Sequence, residues 1–277
     1  MAMVIDFDNP KTFPEELGNW DICFENMIRS KMKEEHATET GRMMLLLNDM
    51  HIRELPIVTD FLNAHMDCEV AVCHCSRILD IGLIKKEGLI IDGGQGSVAD
   101  SRIRKLLSSI GVDKEMEEAI MVNVYAYWDR DKGSRTECVH FQVNRDYINR
   151  DCAASSYALN LGGEVLRRAI SRCSENLYEQ EPYKRLWIWG TPCIVKFKCK
   201  LGDVHETYRA SLLEEIVKYN IVTKIYNCEY KFEFPGMISG RVRPENIIAI
   251  EEIKGFVEMQ EEYEPPGFYD ELKYKAK

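Results

Sequence analysis

Hydropathy changes period at residue 69, and that change fixes the class of fold open to the chain. Before it, residues 12–66 are patterned as helix: Met43, Met44, Leu46 and Leu47 fall at helical spacing, and Pro56 breaks or bends a second helix. After it, short apolar runs alternate with turns and amphipathic stretches. Residues 69–75 predict a buried strand and 78–87 a short helix capped by Gly88, and 92–96 form a glycine-rich loop. Helix is expected again over 99–128, then a polar turn at 129–133 and a strand at 137–143. Ala158, Gly162, Val165, Leu166, Ala169, Ile170 and Cys173 form one helical stripe. Cys193, Val195, Phe197, Cys199 and Leu201 alternate with Lys196, Lys198 and Lys200, the mark of a half-buried strand. Helix is expected over 206–219. The longest strand signal runs over 223–234, with Tyr226, Cys228, Tyr230, Phe232 and Phe234 on one face and Glu229, Lys231 and Glu233 on the other. A last short strand is expected at 247–250. The sum is an α+β fold: an N-terminal helical region (1–67), a mixed or antiparallel sheet with inserted helices (68–257) and an acidic tail (258–277).

The 277 residues, 45% hydrophobic and 30% charged, suffice for one large core or two small ones. No apolar run approaches the ~18 residues that span a bilayer, and residues 1–10 are acidic rather than signal-like, so a cytoplasmic chain without membrane contact is expected. The ten cysteines often sit within apolar runs, which suits free thiols in a reducing compartment. A net charge of −10 argues against nucleic-acid binding as the main task. Three short basic clusters (102–105, 196–200 and 241–243) are solvated faces or one side of a pocket for a small anion.

Several residues are able to carry chemistry. His74 closes an apolar run, where a histidine is costly unless its ring nitrogens find partners. It is either a core histidine satisfied by backbone or a contact to a ligand hydroxyl, with Ser76 and Arg77 extending beyond it and Gly88-Leu89 following the helix. Cys68, Cys73, His74 and Cys75 are spaced poorly for zinc, and no second Cys-x-x-Cys pair completes a tetrahedral set. Cys138 and His140 share a strand face, yet nothing nearby lowers the thiol pKa. Ser155-Ser156-Tyr157 opens a helix, and the Tyr157 ring is either an aromatic at a helix start or a stacking wall. Glu164 has Arg167 and Arg168 at ion-pair spacing. Glu229 and Glu233 stand opposite the aromatic stripe, on a solvated face or lining a cleft.

In order along the chain, His74-x-Ser76-Arg77 with Gly88-Leu89, Val139-His140-Phe141 with Ser155-Ser156-Tyr157, and Glu233 with Gly236, Ile238 and Arg243-Pro244-Glu245-Asn246-Ile247-Ile248 resemble the three motifs of ADP-ribosyltransferases. The likeness is to those of the diphtheria-toxin and poly-ADP-ribose-polymerase type, and it covers residues 69–253. It implies a largely antiparallel split sheet and NAD as the substrate, with no metal. It also implies roles: His74 on the nicotinamide-side ribose, Tyr157 packed on the nicotinamide ring and Glu233 holding the ribose 2′-hydroxyl. Arg77 would take the pyrophosphate, with Ser76, Gly88 and Leu89 completing the NAD site. The protein would transfer ADP-ribose to an intracellular acceptor or hydrolyse NAD, as a bacterial or phage effector, toxin or antiviral defence factor does. Glu229 and Glu164 compete with Glu233 for the third role. The alternative is a non-catalytic protein that binds a nucleotide, or a protein partner through its N-terminal helices. A Cys138/His140 hydrolase is a third option.

Overall fold

The computed structural model describes residues 3–20, 22–34, 40–90, 93–131, 136–150, 164–173 and 190–253. The chain combines helices with an open six-stranded sheet, an α+β fold as expected. Strands β1 (Val4–Asp6), β2 (Glu69–Ile78), β3 (Cys138–Gln142), β4 (Thr191–Lys200), β5 (Pro235–Ser239) and β6 (Ile247–Glu252) lie in the order β5-β3-β2-β4-β6, with β1 beside β2. β1 pairs in parallel with β2, Val4 against Glu69 and Asp6 against Ala71. β4 pairs antiparallel with β6, with an irregularity at Lys196/Phe197. β2 is central, and Val70, Ala71, Val72 and Cys73 are all buried, so both its faces are covered.

The chain divides into two compact units. The first comprises residues 1–72, 142–147 and 198–238. It contains α1 (Ile22–Glu34), α2 (Thr40–Asp49), α3 (Pro56–Ala64) and a long buried helix, α9 (Glu206–Asn220). The N-terminal region expected over 1–67 falls in this unit, together with 142–147 and 198–238. Pro56 starts α3 at its first turn, where its missing N–H costs nothing, rather than bending a helix.

The expected strand over 223–234 does not form. Residues Ile221–Ile225 extend α9 as a π-helical turn. The chain then reverses at Asn227, which adopts φ 51°, and Cys228 N–H donates to the Val222 carbonyl. Residues 228–234 run back along α9. Tyr230 and Phe232 lie against Tyr219, with ring centroids 6.2 and 5.5 Å away, and Phe234 lies 6.0 Å from Tyr208. The period-2 burial is real, with Tyr230 and Phe232 buried and Glu229, Lys231 and Glu233 exposed. It arises from packing an extended segment on a helix, not from a sheet. Pro235 opens β5 instead of ending a strand, a position that needs no N–H.

The second unit comprises residues 73–141, 148–197 and 239–277. It holds α4 (Ile81–Glu87), α5 (Val98–Ser109), α6 (Lys114–Arg130) and α8 (Glu164–Cys173), with α7 (Arg145–Arg150) straddling the division. The helix expected over 99–128 is two helices, broken at Gly111 (φ 86°), whose conformation a side chain rarely adopts. Leu107, Ile120, Val124, Trp128, Leu166 and Ile170 bury the contact among α5, α6 and α8. Residues 151–163 and the acidic tail from 258 lie outside the described residues, and so do Ser155, Ser156 and Tyr157.

Candidate functional site

The candidate residues of the second unit are organised by β2. Strand alternation puts His74 and Ser76 on one face and Cys73, Cys75 and Arg77 on the other. Cys73 and Cys75 pack with Ile148 and Ile194 in an apolar cluster, which makes them core rather than metal ligands. Among the described residues, no group of three or more His, Cys, Asp or Glu side chains gathers as for a metal ion.

His74 is half-buried, and its Nδ1 lies 2.8 Å from the main-chain carbonyl of His140 on the neighbouring strand β3. A carbonyl only accepts, so Nδ1 carries the proton. Burial holds the imidazole below its ordinary pKa of 6.5, with the His140 carbonyl opposing and the nearby His140 ring adding to the depression. The ring is therefore neutral near pH 7 and presents Nε2 as an acceptor, the polarity that receives a hydroxyl.

Arg77 lies on the face of β2 opposite His74. The strand continues to Ile78. Its guanidinium donates to the Gly190 carbonyl at 2.8 Å, and burial pushes its pKa down to about 10. Ser76 Oγ faces its neighbour's carbonyl at 3.4 Å.

Gly88 and Leu89 join two segments about 150 residues apart. Asp80 caps α4, accepting from the Gly82 and Leu83 N–H groups at 2.8 and 3.3 Å, and Gly88 ends it at φ 78°. A Cβ at Gly88 would lie 1.9 Å from the Val242 carbonyl oxygen, so only glycine fits. Leu89 and Val242 exchange two backbone hydrogen bonds, each 3.0 Å. This pair fixes α4 beside the turn Pro244–Asn246, which leads into β6.

Several side chains of the basic clusters pair with nearby carboxylates. Arg102 meets Glu87 at 3.1 Å. Arg104 meets Asp100 at 2.9 Å and Glu117 and Glu118 at 2.8 Å each, and also bonds the Tyr125 hydroxyl. Asp100 in turn accepts from Gly96 N–H at 2.6 Å, which ties the glycine-rich loop to α5. Lys198 pairs with Glu69 and Lys200 with Asp67. Burial, with Glu137 adding, pushes the Cys138 thiol above its ordinary range, the opposite of what a nucleophile needs.

Glu229 and Glu233 belong to the first unit and are exposed on the segment returning along α9. Below them lies a buried polar group that the sequence pattern conceals. Glu214, Glu215 and Lys218 are each 5–8% exposed. Lys218 Nζ lies 3.0 Å from Glu214, 3.7 Å from Glu215 and 2.6 Å from Asn48 Oδ1. Tyr230 donates to Glu215 at 2.9 Å, and the Glu233 backbone N–H donates to the same carboxylate. Burial raises the Glu215 pKa despite these partners. In sequence, Glu214 and Lys218 have the spacing of an exposed i,i+4 pair, so only their burial reveals them.

His74, Arg77, Gly88 and Leu89 thus lie in one unit, and Glu229 and Glu233 in the other. Glu164 begins α8, and its side chain is outside those described. No protein-family model, curated protein or solved structure matches the chain.

Proposed function

We propose that this protein consumes NAD as an ADP-ribosyltransferase or NAD glycohydrolase, with His74, Tyr157 and Glu233 as the residues that carry the reaction. The observation that carries the proposal is His74. Its Nδ1–H is spent on the His140 carbonyl, and its neutral ring offers Nε2 to a ribose hydroxyl. The Leu89–Val242 pairing adds support, because it joins the segment after the histidine strand to the Pro-Glu-Asn-Ile segment that follows Glu233.

Glu233 accepts a hydrogen bond from the ribose 2′-hydroxyl, and its charge stabilises the oxocarbenium-like transition state. The bond between ribose C1′ and the nicotinamide nitrogen breaks, and its electron pair leaves with nicotinamide, now neutral. A nucleophile (water, or an oxygen or nitrogen of the acceptor) then bonds to C1′ and releases its proton to solvent. Tyr157 packs on the nicotinamide ring. Arg77 is offered for the pyrophosphate as a bidentate donor, although its bond to Gly190 and its place across β2 from His74 weigh against that role. Purified protein incubated with NAD and cell lysate tests the proposal: released nicotinamide or ADP-ribosylated product is expected, and neither forms if it is wrong.

A second reading rests on Ile22, Met27 and Leu45, large apolar side chains exposed on α1 and α2. They suit a non-catalytic protein that docks a partner through its N-terminal helices. Calorimetry separates the readings: heat with NAD supports the enzyme, and a partner bound without any NAD heat supports the interaction protein.

A further inference from the structure

We infer that Glu215 is a positioning residue for Glu233, holding the segment that presents its carboxylate; this rests on the catalytic role proposed for Glu233. No strand includes Glu233, and the next carbonyl, that of Phe234, accepts a single bond from the Val143 N–H at 3.2 Å. Residues 227–234 fall outside every strand, and β5 begins only at Pro235. A carboxylate that must meet one hydroxyl needs its backbone held to a fraction of an ångström. Glu215 supplies that restraint from the neighbouring helix. It accepts from the Glu233 N–H and, through Oε2, from the Tyr230 hydroxyl at 2.9 Å, thereby gripping the segment at two points three residues apart.

The buried charges on α9 suit this task. A single ammonium, Lys218, serves two carboxylates, and it lies closer to Glu214 (3.0 Å) than to Glu215 (3.7 Å). Glu214 and Lys218 compensate one another, which leaves the Glu215 oxygens to the return segment. A buried acidic side chain without such work would be a cost to the fold. Its position on the α9 stripe that also carries Tyr208 and Tyr219, against which Phe234 and Tyr230 pack, puts the hydrogen bonds and the aromatic contacts in one register.

The test compares Glu215→Leu, Glu215→Gln and Glu233→Gln in the full-length protein, measuring nicotinamide release and thermal midpoints. The glutamine amide keeps an acceptor for the Glu233 N–H and a donor toward the Tyr230 oxygen; leucine keeps neither. Glu215→Leu is expected to lower kcat at least ~30-fold with KM for NAD nearly unchanged, and Glu215→Gln to stay within ~3-fold of wild type. Unchanged kcat in a folded Glu215→Leu protein overturns the positioning role while leaving Glu233 catalytic. Wild-type protein without turnover, or full turnover in Glu233→Gln, overturns the catalytic reading and this inference with it. If Glu215→Leu does not fold, hydrogen exchange at the Glu233 amide decides: protection in wild type and in Glu215→Gln supports the anchor, and exchange at the unprotected rate overturns it.

Discussion

His74 and His140 are joined across adjacent strands by a 2.8 Å contact from an imidazole nitrogen to a main-chain carbonyl. The contact dictates the tautomer, and burial keeps the ring neutral. His74 is therefore expected to carry its proton on Nδ1 and to titrate below 6.5. Because its pKa is depressed in the folded chain, its contribution to stability is present above 6.5 and is lost as pH falls through the folded value. Side-chain nitrogen NMR reads both properties. A proton on Nε2, or a midpoint at or above 6.5, contradicts the assignment.

Gly88→Ala is expected to destabilise the protein by about 3 kcal/mol or more, since it combines a positive φ with a clash against backbone that cannot move away. Chemical denaturation measures the loss. A change below ~1 kcal/mol would mean that the Leu89–Val242 pairing is looser than the structure has it.

Glu215 gives stability the opposite pH dependence. Burial raises its folded pKa above the ordinary 4.5, so the folded state holds the proton more tightly than the unfolded one. Its contribution is fully present below 4.5 and is lost as pH rises through the folded value. Thermal midpoints of wild type and Glu215→Gln, compared across pH, should therefore diverge on raising the pH, with the variant gaining relative to wild type. Parallel curves would contradict the buried carboxyl.

The thiols should divide sharply in reactivity. Cys23 is exposed, whereas Cys68 and Cys199 are buried with pKa values pushed up to about 11 and about 12. At pH 8 a thiol of pKa 12 is thiolate to about one part in ten thousand. Alkylation of the native chain, mapped by mass spectrometry, should mark Cys23 and spare Cys68 and Cys199. Early labelling of Cys199 would contradict its burial.

Much of the sheet was legible because its signals are local. The alternation from Cys193 to Cys199 marks β4, the apolar run after Glu69 marks β2, and Gly88 marks the end of α4. β1 was not legible, since three residues carry too little pattern and its pairing with β2 is distant in sequence. The aromatic alternation before Pro235 misled for a physical reason: an extended segment on a helix buries every second residue as a strand on a sheet does. Among the candidate residues, His74 and Glu233 could be singled out from the sequence, whereas the bond of Arg77 to the Gly190 carbonyl joins residues too distant in the chain to be read from it. It also hid Glu215, because a buried charge and a solvated one are written with the same letter.

The proposed NAD turnover requires both Glu233 and His74. Nicotinamide release by wild type, His74→Ala and Glu233→Gln, each verified as folded, tests it most directly. Wild type should turn over NAD, Glu233→Gln should lose at least ~100-fold in kcat, and His74→Ala should lose ~10-fold or more in kcat/KM. No release by wild type, or undiminished release by Glu233→Gln, would contradict it.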